Sequence, residues 1–279
     1  MRLRPIGTAQ VSGLCIGGNP FSGFSHQSDE RSREMLGYYT PERIRYTLHQ
    51  AAEHGINTFF GRTDDRIFSI LRDYWDEGGA LQWFAQVCTE RGEPDSWRKW
   101  LDGAADLGAT GAYLHGGVVD NCYSNGRFEV LREALERMRD HGVVAGFAAH
   151  KPEAHAWIRD HLDPDFQMCS YYNPTDRAQQ AQHISTGEKW EDEDRAAMLA
   201  VIATLPCPAV HYKVFAGGNK PVLAAFHVMG QHMRADDVAL IGVYLADDPD
   251  MIACDVALFE EHVERAAGVR PAAAGSPVE

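Results

Sequence analysis

The reactive side chains of this chain gather where apolar runs stop. Gly146-Phe147-Ala148-Ala149-His150-Lys151-Pro152-Glu153-Ala154-His155 reads as a buried strand, a short turn and a helix start. His150 would stand at the strand end. Pro152 would take the first helical position, where its missing N–H is not needed. Other runs end in the same way. Asn19 and then His26 follow 14–18, Gly61 and Arg62 follow 56–60, and Thr89 and Glu90 follow 81–88. His115 closes 111–115, with Asp120 shortly beyond. Cys169, Tyr171, Tyr172 and Asn173 end the run at 166–171. His211 and Lys213 lie in 209–215, ahead of Gly217-Gly218-Asn219-Lys220, and Tyr244 follows 238–243.

Imidazole, thiolate and carboxylate together suit Zn2+ or Fe2+. His115, His150, Cys169 and Glu90 are therefore candidate ligands of a divalent metal, which would acidify a bound water or polarise a carbonyl. Without a metal, His115 and His150 are acid–base candidates. Lys213 could act as acid, base or Schiff-base former if burial lowers its pKa. Cys169 has a second reading as plain core packing, and His155 and His211 read as ordinary hydrogen-bonded histidines. There is no HExxH and no CxxC. The glycine pair at 217–218 reads as a tight turn, with an anion cradle at a helix N-terminus as the alternative.

The elements that must hold these groups alternate regularly. Apolar strands are predicted at 14–18, 56–60, 81–88, 111–115, 143–149, 166–171, 209–215 and 238–243. Helices are predicted at 40–55, 64–75, 93–107, 127–141, from 152, 192–205, 221–233 and 249–267. Thr40-Pro41-Glu42 supplies an N-cap and a proline at the first helical position. Continuous apolar strands joined through helices imply a parallel sheet covered on both faces. Eight such units, after a small hairpin at 2–12, close most economically into a (β/α)8 barrel, a single domain over 1–267. An open doubly wound sheet is the alternative, but Gly17-Gly18-Asn19-Pro20 is not its GxGxxG turn. Connections 19–39 and 173–189 are long enough to cover the active-site mouth. Their aromatic and amide residues (Phe21, Phe24, Gln27, Tyr38, Tyr39, Asn173, Gln179, Gln182) suit a polar, hydroxylated ligand. Asn19, Phe21, His26, Arg62, Tyr171 and Asn173 are the candidate substrate contacts. The tail 268–279, rich in Ala, Pro and Gly, is expected to be disordered.

Bulk properties narrow the function classes. The net charge of −14 argues against a grip on nucleic acid or an anionic membrane, though a small anionic substrate stays compatible. No apolar run is long enough to span a bilayer, and no secretory signal is apparent. Six scattered cysteines fit reduced thiols in a cytoplasmic protein. Nothing in the sequence sets an oligomeric state.

Several segments resemble the aldo-keto reductase superfamily. Leu3-Arg4-Pro5-Ile6-Gly7 and Val11-Ser12-Gly13-Leu14-Cys15-Ile16-Gly17-Gly18 are similar to its hairpin and first strand. Gly55-Ile56-Asn57-Thr58-Phe59-Phe60 and Ala112-Tyr113-Leu114-His115 resemble its second and fourth strands. Tyr172-Asn173-Pro174 resembles its sixth-strand ending, and Gly242 with 248–258 its last strand and helix. The resemblance runs through most of the chain and implies the (β/α)8 fold. It does not carry the family's activity over. Of the family's catalytic Asp, Tyr, Lys and His around a nicotinamide, only the His has a counterpart, His115. The Asp falls on Phe60 or Gly61, the Tyr on Asp65 or Arg66, and the Lys on Cys88 or Thr89. The Ser-Asn pair that holds the carboxamide becomes Ala148-Ala149, and the Gln three before the ring-stacking Tyr becomes Cys169. That Tyr has a counterpart in Tyr172, an aromatic that could serve any ligand and joins His115, His150 and Lys213 as a catalytic candidate. Hydride transfer needs a tuned proton donor and a fixed nicotinamide, so nicotinamide binding is not expected. The expectation is an enzyme that has lost ordinary NADPH-dependent reduction. It would act as a lyase, isomerase or hydrolase on a small polar metabolite, sugar-like or specialised. The alternatives are a divergent NAD(P)H oxidoreductase using His115 with a different proton donor, and a catalytically silent barrel that senses a ligand.

Overall fold

The computed structural model describes residues 1–175, 177, 178, 181 and 189–265. The predicted tail 268–279, Gln179 and Gln182 lie outside the described residues. A two-stranded antiparallel hairpin, β1 (Leu3–Ile6) and β2 (Ala9–Ser12), precedes eight parallel strands. These are β3 (Leu14–Gly17), β4 (Thr58–Arg62), β5 (Gln82–Val87), β6 (Gly111–Leu114), β7 (Val144–Ala149), β8 (Phe166–Ser170), β9 (Ala209–Tyr212) and β10 (Val238–Ile241). They pair in chain order, and β10 closes on β3. The predicted (β/α)8 barrel with its N-terminal hairpin is the observed architecture.

Two side-chain layers follow from the period-two alternation of strands. One row points into the barrel: Cys15, Phe60, Phe84, Tyr113, Val144, Ala148, Phe166, Met168, Val210, Tyr212, Val238 and Leu240. Ile6, Ala9 and Val11 of the hairpin belong to the same cluster, so the hairpin plugs the end of the barrel opposite the strand C-termini. The alternate row, including Ala149, Cys169 and Ala209, packs outward against the helices. The barrel centre is aromatic: the rings of Phe60 and Phe84 lie 4.9 Å apart and those of Phe84 and Phe166 5.5 Å apart. Gly146 makes room for Phe166, whose ring would stand 2.4 Å from a Cβ placed there.

The helices are α1 (Asp29–Tyr38), α2 (Pro41–Glu53), α3 (Asp65–Asp76), α4 (Trp97–Leu107), α5 (Gly116–Ser124), α6 (Phe128–Asp140), α7 (Pro152–His161), α8 (Asp192–Ile202), α9 (Val222–His232) and α10 (Met251–Phe259). Eight match the expected helices. The other two, α1 and α5, lie in stretches read as connections. Helix α1 buries only Met35 and so carries no apolar stripe, but it has a Ser28 N-cap and Asp29 and Glu30 in its first turn. Helix α5 has the opposite problem: Gly116 through Asp120 and Cys122 are all buried, so no amphipathic period shows. The Thr40 cap is confirmed, its side chain accepting the Arg43 N–H at 3.3 Å. Thr40→Ala is expected to lower stability by about 1 kcal/mol, read as a shifted urea midpoint at unchanged slope.

Candidate functional site

A cavity of about 730 Å3 opens at the strand C-termini. Its floor is the top of the inward row: Phe60, Tyr113, Ala148, Met168, Tyr212 and Leu240. Asn19, His26, Arg62, Glu90, His115, His150 and Lys213 all line it, so seven of the residues proposed from sequence reach one space.

His150 is the best defined of them. It is buried, and its Nδ1 lies 2.7 Å from Asp120 Oδ2 on α5. Asp120 also accepts the backbone N–H groups of His150 at 3.0 Å and Lys151 at 3.2 Å. Three donors thus converge on one buried carboxylate. Burial pushes the Asp120 carboxyl up to about 6, with Arg177 and Lys151 nearby opposing the rise, so it is ionised at neutral pH. Burial, and after it the neighbours Arg177, Lys213, His115 and His26, hold His150 well below the usual imidazole range. A neutral ring that donates from Nδ1 to Asp120 keeps its lone pair on Nε2. The Tyr212 hydroxyl, 3.3 Å from that Nε2, donates to the Ala149 carbonyl at 3.4 Å and stands at the cavity floor. Burial raises the Tyr212 phenol far above its ordinary range, so it remains a hydrogen-bond donor.

His115 has the complementary arrangement. It is the N-cap of α5, and its Nδ1 accepts the Gly117 N–H at 3.2 Å. A neutral ring that accepts at Nδ1 carries its proton on Nε2. One histidine therefore offers a base and the other a donor.

Helix α5 positions both, and it also carries the wall beyond them. Asn121 Nδ2 donates to the carbonyls of Arg177 at 3.0 Å and Ala178 at 2.9 Å. Arg177 is 2% exposed and lines the cavity with Ala181. Across the mouth, His26 and Lys213 flank the Trp190 ring, at 5.9 and 5.6 Å respectively. Lys213 and His26 both hold positive φ angles, 56° and 57°. Non-glycine residues held in that region mark an over-determined segment of the kind found at functional sites. At the outer end, Arg31 pairs with Asp247 and lies 4.4 Å over the Tyr244 ring, so α1 is fastened across the mouth.

Other expected residues go elsewhere. Cys169 faces the helices, with His155 Nδ1 at 3.8 Å, and burial pushes its thiol far up. This is the core-packing reading of Cys169. Glu90 is engaged by Lys99 at 2.5 Å and Trp100 Nε1 at 3.1 Å. Among the described residues no three His, Cys, Asp or Glu side chains lie close enough to share a metal ion. His115, His150 and Glu90 line the same cavity but do not approach one another as a ligand cluster, and Cys169 lies outside it. Phe21 packs in the core on Tyr39, ring centroids 4.7 Å apart. The Tyr171 hydroxyl is 3.0 Å from His211 Nδ1, whose Nε2 is 3.2 Å from Asp237, all buried behind the barrel wall. Tyr172 is fully buried and its hydroxyl accepts from Arg195 at 3.0 Å. The Asn173 N–H donates to Asp194 at 3.0 Å. Neither Tyr172 nor Asn173 lines the cavity: Tyr172 follows the inward phase of Phe166 and Met168, but the chain turns after β8 and takes both residues to the helix side.

Sequence reasoning assigned no role to Asp120, Arg177 or Tyr212. Strand alternation could have found Tyr212, two positions after inward Val210. Asp120 needed α5 to be recognised, and Arg177 had no local pattern at all.

No family model matches the sequence, and no curated protein matches it. Solved structures do. A Bacillus halodurans aldo-keto reductase in its holo form superposes with a TM-score of 0.61 at 14% identity, over 96% of each chain. A Pseudomonas aeruginosa protein assigned to the aldo-keto reductases gives 0.61 at 18% identity, over 93% of this chain and 94% of its own. The N-acetylmannosamine-6-phosphate 2-epimerase of Clostridium perfringens gives 0.52 at 9% identity, over 88% of this chain and 93% of its own. No helix among the described residues is long and apolar enough to cross a membrane. The chain has the (β/α)8 barrel fold that these structures share.

Proposed function

We propose that the chain is an acid–base enzyme, an isomerase or lyase, that moves a proton at carbon on a small polar, sugar-like metabolite. The observation that carries this is the pair of oppositely polarised histidines in one cavity: His150, fixed by Asp120 with Nε2 as base, and His115, fixed by Gly117 with Nε2–H as donor. His150 Nε2 would take a proton from the carbon next to a carbonyl. The C–H electron pair passes to the carbonyl oxygen, and His115 donates a hydrogen bond to the enolate as its charge grows. Return of the proton to the same or a neighbouring carbon gives an isomer; loss of a β-leaving group gives a lyase product. Barrels of this architecture serve a reductase and an epimerase among the similar structures, so the fold does not choose the reaction and the side chains must.

A nicotinamide does not fit this donor set. Ala148 presents only a methyl to the cavity, Ala149 points outward, and Tyr172 is off the cavity and engaged by Arg195. The proposed chemistry also requires no metal. Two measurements test the reading. In D2O, the protein should incorporate solvent deuterium into at least one member of a panel of aldose, ketose, sugar-acid and sugar-phosphate substrates, and His150→Gln should abolish it. Incorporation that survives His150→Gln would remove His150 as the base. NADPH titrated against protein fluorescence is expected to show no saturation in the micromolar range. Micromolar binding would favour the divergent oxidoreductase instead.

A further inference from the structure

We infer that Arg177, held over the cavity by α5, forms an oxyanion subsite that receives a carboxylate or phosphate of the substrate. This rests on the proposed reading of the cavity as the active site and names the substrate class within it.

Arg177 is a cation placed in the protein interior, 2% exposed, and its Nη1 donates to the Thr175 carbonyl at 2.9 Å. Its Nε is buried without a hydrogen-bond partner among the described residues. A guanidinium has five N–H donors, and leaving such a group buried and under-satisfied is unfavourable unless a ligand completes it. Among the described residues the carboxylates of the cavity wall do not serve. Asp64 pairs with Arg62 at 2.9 Å, Glu90 with Lys99, and Asp247 with Arg31, while burial raises the Asp255 carboxyl on α10 to about 7. Asp120 is committed to His150 and two backbone N–H groups. Arg177 and Lys213 both bear on His150 with the same sign. A protein of net charge −14 thus keeps a positive interior beside its candidate base. That field favours an anion and stabilises an enolate formed next to it. The placement is built in: Asn121 holds the Arg177 and Ala178 carbonyls, and Asn125 donates to Ala178 at 2.8 Å. Arg177 is a binding residue in this account, with a planar fork suited to a bidentate oxyanion.

The test is equilibrium binding, independent of turnover. Inorganic phosphate and glycolate are titrated separately against the full chain, read by tryptophan fluorescence and by the thermal midpoint. At least one should saturate and raise the midpoint; phosphate alone indicates a phosphoryl group, glycolate alone a carboxylate. Arg177→Gln should weaken that binding about 10- to 100-fold, Arg177→Lys by less, and His150→Gln should retain it. Absence of saturation by either anion overturns the inference, as does a folded Arg177→Gln that binds like the wild type. If Arg177→Gln loses its native circular dichroism, Arg177→Lys decides, and wild-type affinity there overturns it. The two readings fail separately. Anion binding lost in Arg177→Gln with no deuterium incorporation on any substrate keeps the subsite and removes the acid–base reading. Incorporation into neutral sugars alone, unchanged by Arg177→Gln, does the reverse.

Discussion

Asp120→Asn should leave the barrel folded and lower turnover by about 10^3- to 10^4-fold, the size seen when the orienting carboxylate of a Ser-His-Asp enzyme is changed to its amide. The substitution is nearly isosteric. Asn Oδ1 can still accept the His150 and Lys151 backbone N–H groups that Asp120 Oδ1 accepts now, at 3.0 and 3.2 Å. The change falls on Oδ2, 2.7 Å from His150 Nδ1. There Asn places an NH2, which cannot accept a proton and forces Nδ1 to become the acceptor. The ring proton then moves to Nε2, the atom proposed as the base. Nitrogen-15 NMR of the imidazole separates the two tautomers directly: the wild type should show a protonated Nδ1 and the variant a protonated Nε2. An unchanged tautomer would sink the relay.

The same variant carries a pH signature. Asp120 is raised to about 6 in the fold, above the unfolded value of about 3.9. Between those values the folded state holds more protons, so its contribution to stability falls as pH rises through the window. His150 is shifted the other way, well below the unfolded value of about 6.5. Below pH 6.5 the unfolded chain takes up a proton that the folded one refuses, so stability falls as pH drops. The two slopes oppose each other in the wild type across roughly pH 4 to 6. Asn removes the first and leaves the second. Urea midpoints should therefore decline more steeply with acid in Asp120→Asn than in the wild type; equal slopes would mean that Asp120 titrates at its ordinary value.

Much of the frame was legible because it rests on local pattern. Eight apolar runs punctuated by glycine and capped helices fix the barrel, and His150 and His115 fall at strand ends by simple counting. What stayed hidden depends on pairing between segments. Cys169 and His211 sit level across β8 and β9, and only the shared inward or outward phase of the strands shows that both face away from Tyr212 and Met168. Tyr172 ends a strand as His150 does, yet the chain turns toward α8 there. Asp120 lies on a helix so buried that its sequence has no polar face, and the contact that gives it meaning spans 30 residues. The alanines at 148 and 149 were readable as positions that offer no donor. The polar groups around His150 were not, because they enter from α5 and from the segment after β8.

Gly117→Ala is the sharpest steric test of that joint. A Cβ on Gly117 would lie 2.0 Å from the Ala181 carbonyl oxygen and 3.0 Å from Arg177 Cδ. One contact is with backbone, so no side-chain rotation relieves it. Helix α5 cannot retreat easily: its first turn is tied to His115 Nδ1, and Asp120 is tied to three donors around His150. Arg177 and Ala181 must move instead, carrying Arg177 away from His150. Global stability should fall by about 1–3 kcal/mol, as for overpacking elsewhere, while anion affinity should fall as far as in Arg177→Gln. Gly37→Ala is the matched control. Gly37 lies within α1 across the same mouth, a Cβ there meets nothing within 4 Å, and replacing a helical glycine by alanine should stabilise by about 0.5–1 kcal/mol. If both alanines bind phosphate equally, the segment after β8 is not the wall that holds the anion, and the cation on the β9 side, Lys213, must hold it. Loss confined to Gly117→Ala means that two small residues at the start of one short helix let the base, the donor and the anion clamp share a single cavity.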